Sequence, residues 1–149
     1  MKNINPSEEI YLNALIKTRD SGSRRTTRNG ITTAVLAHQM RFDLQRGFPA
    51  MTTKVLFFNA VKAELLWFLD AGRETGERLS IHKFNEFLGK PAGAQNIWTM
   101  DQARFQSQGK AKFHGDCGRI YGAQWRSWND GKGGTIDQIA KVIKQLRDD

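Results

Sequence analysis

The alternation of apolar and polar positions predicts a helix close to the N-terminus. Asn5 followed by Pro6 is a typical helix start, with a capping side chain and then proline at the first helical position. Tyr11 and Leu15 have the four-residue spacing that places two side chains on one helix face. Gly22 is expected to end this helix, and residues 18–30 are expected to form a polar, basic loop.

The middle of the chain predicts a strand followed by a helix. Residues 31–44 are rich in β-branched and aromatic residues and contain no proline or glycine, so we expect a long strand. The sequence Gly-Phe-Pro at 47–49 predicts a turn. Residues 55–69 are apolar nearly all round and predict a buried helix, which Gly72 would end.

A second amphipathic helix is predicted at the C-terminus. Thr135 and Gln138 have the spacing of a capping box. An apolar stripe follows, formed by Ile136, Ile139, Ala140, Ile143 and Leu146. The pattern runs on to two acidic residues at 148 and 149, which are unfavourable at the negative end of a helix. We therefore expect that the chain is cut short, with a native end at this point as the alternative.

Composition places the chain among soluble globular proteins with one domain over residues 1–149. It is 39% hydrophobic and 26% charged. No signal peptide is evident, and no apolar stretch is long enough to span a bilayer, so we expect no membrane association. The single cysteine rules out an internal disulfide and fits a reducing cytoplasm. We expect a cytoplasmic protein.

The net charge of +8 favours anionic partners, although solubility alone explains it equally well. Nucleic acid and a phosphorylated small molecule are the two specific alternatives. Arg24, Arg25 and Arg28 lie close together in a stretch rich in Gly, Ser and Thr. Guanidinium groups match phosphate oxygens, but a solvated loop is the commoner outcome for such a stretch.

Three residues have side chains suited to chemistry on a ring-shaped substrate. Glu64 lies within the apolar helix, where burial would raise its pKa and suit it to proton transfer. Tyr121 lies in a glycine-rich segment and could relay a proton, while Trp98 offers a flat face to a ring. Taken alone, each has a commoner structural explanation: a paired glutamate or an aromatic core residue.

The remaining reactive side chains give weaker signals. Cys117 is the only thiol, and a lone cysteine is usually inert. His38, His82 and His114 do not have the spacing of metal ligands, so we expect no metal site. The sequence also contains no glycine fingerprint for phosphate binding.

Four segments in order resemble the N-terminal half of a thymidylate synthase. They are HQMRF at 38–42, GFPAMTTK at 47–54, ELLWFL at 64–69 and GDCGRIYGAQWR at 115–126. The resemblance implies an α+β fold with a mixed β-sheet flanked by helices, incomplete in this chain. It also implies C5 methylation of dUMP with 5,10-methylenetetrahydrofolate as co-substrate and no metal.

The resemblance also assigns roles to single residues. Glu64 matches the glutamate that organises proton transfer to the pyrimidine and the folate. Ile97 and Trp98 match residues that line the folate site, and Tyr121 matches the tyrosine that helps to remove the C5 proton through water. Arg28 is the expected phosphate ligand, and Arg25 remains an alternative because the loop does not align cleanly.

The family's nucleophilic cysteine and its paired phosphate-binding arginines have no counterpart in these residues. A thiolate is needed for addition to C6, so the chain alone is expected to be inactive. It should need a complementing C-terminal half or act as part of a homodimer, since family members pair through their sheets.

Departures from the family pattern leave other functions open. The Leu and Pro of the usual glycine-rich block are replaced by Cys117 and Arg119, and Thr99 stands where Asp usually follows Trp98. A hydroxymethylase acting on dUMP or dCMP would share this half of the sequence and the folate donor. A basic nucleic-acid-binding module that reuses half of the fold is the alternative from another class.

Overall fold

The computed structural model describes residues 5–28, 30–70 and 78–148. The chain divides into two compact units, Met1–Leu56 and Phe57–Asp149. Within the described ranges, the first unit contains an α-helix, a β-hairpin and a short 3-10 helix, and the second contains five α-helices and a second hairpin.

The first helix, α1 (Pro6–Ser21), confirms the prediction from its terminal residues. The Asn5 side chain accepts a hydrogen bond from Ser7 N at 2.9 Å, and proline occupies the first turn. At the other end, Gly22 N donates to Thr18 O. A Cβ at Gly22 would lie 2.3 Å from that carbonyl oxygen, so only glycine fits where the helix ends.

A buried carboxylate attaches the 47–54 segment to the first turn of α1. Glu8 accepts hydrogen bonds from Thr52 N at 2.6 Å and from Thr52 Oγ1 at 2.7 and 2.8 Å. The hydroxyl of Thr52, and then its backbone N–H, hold the pKa of Glu8 below its usual value. The contact spans 44 residues and holds the first unit together from within.

The predicted basic loop at 18–30 is wrong, and so is the predicted long strand at 31–44. Helix α1 continues to Ser21, and β1 (Ser23–Thr27) pairs antiparallel with β2 (Gly30–Ala34). After β2 the chain is irregular until a 3-10 helix, Leu44–Arg46. The β-branched residues of the predicted strand are concentrated at 31–35, and most of these form β2. Residues 35–43 contain few strand-forming side chains and have no partner strand among the described residues.

The turn predicted at 47–49 is present. Gly47 has φ of 107°, in the region that favours glycine, and it follows the 3-10 helix directly. Ala50 N then donates to Phe48 O at 2.8 Å, which reverses the chain tightly.

The central helix of the second unit, α2 (Phe58–Asp70), begins three residues later than the sequence pattern suggested. One of its faces is buried and includes Ala63, Trp67 and Phe68. The expectation of a helix buried on all sides is wrong, because Val61 and several other apolar side chains are exposed. The predicted helix end at Gly72 lies outside the described residues.

The other helices of this unit are short except the last. They are α3 (Ile81–Phe87), α4 (Thr99–Ser107), α5 (Gly122–Arg126) and α6 (Gln138–Asp148). The hairpin between α5 and α6 pairs β3 (Trp128–Asn129) with β4 (Thr135–Ile136). The core is made of Ala63, Trp67, Phe68, Leu79, Ile81, Phe84, Cys117 and Ala123.

The predicted capping box before α6 is wrong. Thr135 lies in β4, and the carboxylate of Asp137 instead accepts from Ala140 N at 2.9 Å, so Asp137 caps the helix. The apolar stripe of α6 exists, but every residue of the helix is at least partly exposed.

Asp116 fixes the start of the glycine-rich block at 115–126. Its fully buried carboxylate accepts from Arg78 Nε at 2.7 Å, Lys112 N at 2.7 Å and Gly118 N at 2.6 Å. Backbone hydrogen bonds between Leu79 and the block, from Leu79 N to Gly118 O and from Cys117 N to Leu79 O, add a short antiparallel contact. The start of the block is therefore held both by the side chain of Asp116 and by backbone hydrogen bonds to Leu79.

The mixture of helices and small sheets agrees with an α+β domain, but the large mixed sheet is not formed by the described residues. Their strands make two separate two-stranded antiparallel sheets. None of the helices in the described ranges has the length and apolarity to cross a bilayer.

Candidate active site

Three of the predicted site residues come together in the second unit. Trp98 Nε1 donates a hydrogen bond to Glu64 Oε1 at 2.6 Å, joining α2 to the start of α4. The ring of Tyr121, at the start of α5, lies 5.8 Å from the Trp98 ring with the planes 77° apart. We call Glu64, Trp98 and Tyr121 the site triad.

Helix geometry explains how α2 presents the carboxylate beside a cluster of rings. Trp67 and Phe68 follow Glu64 by three and four residues and so lie on the same side of the helix. Both rings contact Trp98 edge-on, at 5.5 Å and 6.0 Å between centroids. Glu64 is half-buried, so its carboxylate lies at the border of the core and not, as expected from the sequence, deep within it.

The carboxylate keeps capacity for a ligand. Oε1 accepts from the indole, and the described residues provide no second hydrogen bond to either oxygen of Glu64. A carboxylate has about four lone-pair sites, so most of its accepting capacity is unused by these residues. One oxygen is positioned, and the other can bind a proton donor.

Tyr121 adopts an uncommon backbone conformation. Its φ is 29°, the one positive value among the described residues that are not glycine. Such a conformation costs about 1–3 kcal/mol and persists only where its surroundings hold it. The ring stacks on Phe68 at 4.7 Å, and Trp125 N donates to Tyr121 O at 2.9 Å, so ring and backbone are both fixed.

The hydroxyl of Tyr121 is free to act. The residue is 50% exposed, and its hydroxyl makes no hydrogen bond with the described part of the chain. A phenol is both donor and acceptor, so this group can bond to water or to a substrate that approaches the exposed side of the ring.

Ile97 lies on the surface immediately before Trp98. It is 72% exposed, so its side chain is available to an apolar ligand beside the site triad.

The arginines predicted to bind phosphate belong to the first unit. Arg25 lies on β1 opposite Thr32, and Arg28 lies in the hairpin turn; both are exposed. Arg25 also lines an open cleft of about 330 Å³ with Ala34 and Leu36. Neither guanidinium forms an ion pair with the described residues, so the geometry leaves both alternatives open.

Cys117 has the environment of an inert thiol. It is buried, and its Sγ donates to Gly115 O at 3.8 Å. Burial, and then the nearby charge of Asp116, raise its pKa to about 12. At neutral pH the thiol is protonated and therefore not nucleophilic, as the sequence interpretation expected.

Two histidines form a pair of their own. The rings of His82 and His114 are stacked, with 5.1 Å between centroids, planes 21° apart and 3.1 Å between His82 Nε2 and His114 Nδ1. His82 Nδ1 lies 2.9 Å from Ala92 O. The described residues contain no group of three or more His, Cys, Asp or Glu side chains placed to share a metal ion.

Sequence reasoning missed two asparagines that act near the site triad. Asn85 is fully buried on α3, and Asn96 precedes Trp98 by two residues. Asn85 lies between Phe84 and Glu86, so the local sequence does not indicate that its side chain belongs to a buried hydrogen-bond network.

Comparison with known proteins agrees with the four sequence segments. The sequence profile of the family described as thymidylate synthase matches residues 9–149. A thymidylate synthase of Symbiobacterium thermophilum is 46% identical over 117 residues. The aligned region is 78% of this chain and 34% of that protein, so the match spans about a third of the relative's length.

Proposed function

This chain belongs to the thymidylate synthase family, and from that premise we propose that it provides the pyrimidine- and folate-facing part of a methyltransferase. The proposed reaction transfers the methylene group of 5,10-methylenetetrahydrofolate to C5 of dUMP in place of the C5 proton. The same folate supplies the hydride that reduces this group to methyl, so the products are dTMP and dihydrofolate. The observation that carries the proposal is the 2.6 Å hydrogen bond between Trp98 Nε1 and Glu64 Oε1, with Tyr121 beside it.

Glu64 would organise proton transfer to the two bound molecules. Its carboxylate is held by one indole N–H and is half-buried, so water competes less for it than at an open surface. A positioned carboxylate of this kind contributes roughly 10²–10⁴-fold to a proton-transfer step. The unused oxygen is the atom that would exchange a proton with the pyrimidine through water.

Tyr121 would assist removal of the C5 proton through a water molecule. Its backbone and ring are held by Trp125 N and Phe68, while the residue is half-exposed and its hydroxyl makes no hydrogen bond with the described residues. A fixed ring with a free hydroxyl suits a proton relay, because the distance to a bound pyrimidine would vary little from one turnover to the next.

The pteridine ring of the folate would lie beside Trp98 and Ile97. A flat aromatic surface next to an exposed aliphatic side chain is a suitable wall for a planar heterocycle. The phosphate of dUMP would bind to Arg28, with Arg25 as the alternative, since a guanidinium pairs with two phosphate oxygens at once.

The nucleophile would come from outside residues 1–149. Attack at C6 requires a thiolate, and Cys117, the one cysteine of the sequence, is buried with its pKa raised to about 12. The proposal therefore requires either a longer polypeptide, or a second chain that supplies the cysteine, in a homodimer or as a complementing C-terminal part.

The test is reconstitution. The 149-residue chain is co-expressed with the part of the Symbiobacterium thermophilum thymidylate synthase that follows the aligned region, and dTMP formation from dUMP and methylenetetrahydrofolate is measured. We expect activity in the combined sample only. Glu64→Gln should lower it roughly 10²–10⁴-fold. The matched control, Glu86→Gln, changes an exposed carboxylate of α3 and should leave the rate unchanged.

The outcomes separate the alternatives. A product that carries a hydroxymethyl group at C5 would show that the activity is hydroxymethylation and not methylation. Full activity in Glu64→Gln would contradict the role of that carboxylate. A folded complex without turnover, but with salt-sensitive binding to nucleic acid, would favour a binding module instead.

A further inference from the structure

We propose that Asn85 and Asn96 are positioning residues that hold the Trp98 indole against the Glu64 carboxylate. The inference rests on the proposed function, in which that contact is part of the site. It concerns how the contact is built, from two side chains that do not touch the site's carboxylate.

Asn85 is fully buried, and its amide is fully used as a donor. Its Nδ2 donates to Ala92 O and to Ala94 O, both at 2.8 Å, and its Oδ1 accepts from Asn96 Nδ2 at 2.9 Å. The two carbonyl acceptors fix the orientation of the amide, because a flipped amide would place oxygen against oxygen. Asn85 thus ties the 92–96 loop to α3.

His82 supports the same loop from one turn earlier. Its Nδ1 lies 2.9 Å from Ala92 O, the carbonyl that Asn85 also binds. His82 and Asn85 are three residues apart and share one face of α3. Two side chains of a single helix face therefore determine where the loop begins.

Asn96 transmits this anchoring to Trp98. While its Nδ2 binds Asn85, its Oδ1 accepts from Trp98 N at 2.7 Å, in the manner of an Asx-turn. Its own backbone N donates to Thr99 Oγ1 at 2.9 Å, and Thr99 N donates back to Asn96 O at 3.2 Å. These hydrogen bonds fix the backbone of Trp98 independently of the contacts that its ring makes.

The ring itself is fixed only in part by packing. Trp67, Phe68 and Tyr121 all meet Trp98 edge-on, with interplanar angles of 69°, 82° and 77°. Edge contacts between rings are favourable over a range of about 4.5–7 Å between centroids, so they position a ring less narrowly than a hydrogen bond does. The 2.6 Å bond to Glu64 needs a narrower position of the indole, which the fixed Trp98 backbone helps to set.

The experiment observes the indole directly. The chain has four tryptophans, so ¹⁵N-tryptophan labelling of the 149-residue protein gives four indole N–H signals. Trp98→Phe identifies the Trp98 signal by its loss. Glu64→Gln should shift that signal, because a neutral acceptor replaces a charged one.

Asn96→Ala should shift the Trp98 signal and raise its hydrogen-exchange rate by about tenfold, since the bond to Glu64 would form less often. The other three signals should stay in place. Asn96→Ser should change the Trp98 signal and its exchange rate less than Asn96→Ala does, because a serine hydroxyl can accept the Trp98 backbone N–H as asparagine does. Gln106→Ala is the control: it removes a side-chain hydrogen bond of α4 that lies outside this network.

An unchanged Trp98 signal in Asn96→Ala would overturn the proposal. Equal shifts of all four signals in a variant that circular dichroism shows to be folded would also overturn it, because the effect would then not be specific to Trp98. Asn85→Ala should match Asn96→Ala where circular dichroism shows it to be folded, and otherwise Asn96→Ala decides. None of these readouts needs turnover. A reconstituted enzyme without activity would therefore reject the proposed function while the indole signals still tested the positioning.

Discussion

The ring of Tyr121 stacks on Phe68, with 4.7 Å between centroids and planes 17° apart, while the tyrosine backbone holds a φ of 29°. The stack ties the start of α5 to α2. On the N-terminal side, the buried Asp116 fixes the block that leads into this residue. The ring and backbone of Tyr121 therefore make structural contacts, whereas its hydroxyl makes no hydrogen bond with the described residues and can bind water or a substrate.

Replacing Tyr121 with phenylalanine should separate these two parts. The stack on Phe68 remains, so the free energy of unfolding should stay within about 0.5 kcal/mol of wild type. In the reconstituted enzyme, loss of the hydroxyl should lower kcat by roughly 10²-fold or more, because the proton relay is broken. Urea unfolding and dTMP formation provide the two measurements.

Tyr121→Ala serves as the contrast. It removes the stacked ring as well and should lower both stability and activity. If the phenylalanine variant kept the full rate, the proton-relay role would be wrong. If it were as unstable as the alanine variant, the hydroxyl would have a structural partner instead.

The two candidate phosphate ligands can be distinguished by kinetics. Arg28→Ala should raise the KM for dUMP by about 10–100-fold, because a charge-assisted hydrogen bond to phosphate is lost. Arg25→Ala should have a smaller effect. Arg24→Ala, on the other face of the same strand, is the control for loss of charge in the hairpin.

Deoxyuridine, which lacks the phosphate, gives the second comparison. Its reaction should be insensitive to the substitution that removes the true phosphate ligand. A larger change in Arg25→Ala would move the assignment to Arg25, and equal effects in all three variants would mean that only net charge matters at this hairpin.

Local signals in the sequence predicted α1 well, but the strand predicted at 31–44 was wrong because strand formation depends on non-local pairing. The Asn5 cap and Gly22 act within one helical turn, so the sequence alone contains the information. A strand is completed by its neighbour, and after Ala34 the described chain offers none. Residues 35–43 also contain just one β-branched residue, Val35, and one aromatic residue, Phe42, so the strand formers of the predicted segment lie mostly before them.

The sequence proposed candidate site residues one at a time but did not predict how they are arranged. Resemblance to a family picked out Glu64 and Trp98, yet their 2.6 Å contact joins positions 34 residues apart. The role of a buried asparagine is harder still to predict, since the side chain of Asn85 binds carbonyl groups seven and nine residues away. Side-chain networks of this kind depend on tertiary structure, which local patterns do not encode.

Asp116 should be the most sensitive polar position in the second unit. Asp116→Asn removes the charge that Arg78 pairs with and replaces one accepting oxygen by an NH2 group that faces a donor. The free energy of unfolding should therefore fall by about 3 kcal/mol. The control Asp101→Asn breaks an exposed pair with Arg104 and should cost about 0.5 kcal/mol. Urea unfolding of both variants tests the difference, and equal losses would show that burial of Asp116 carries no extra energy.

The thiol of Cys117 should be almost unreactive in the folded chain. Burial raises its pKa from 9.0 to about 12, so little thiolate exists at pH 8, and the side chain is shielded. We expect slow reaction with a disulfide reagent in buffer and rapid reaction in urea. Fast labelling of the folded protein would contradict both the burial and the exclusion of Cys117 as nucleophile.

The same pKa predicts how stability changes in alkali. Between pH 9.0 and about 12 the unfolded thiol loses its proton while the folded thiol keeps it. The unfolded state then binds fewer protons, so stability falls as pH rises through this window and is unaffected below it. Cys117→Ala lacks this titration, and the stability of wild type relative to this variant should therefore decline above pH 9. A constant difference across that range would mean that the thiol ionises equally well in the folded and unfolded states.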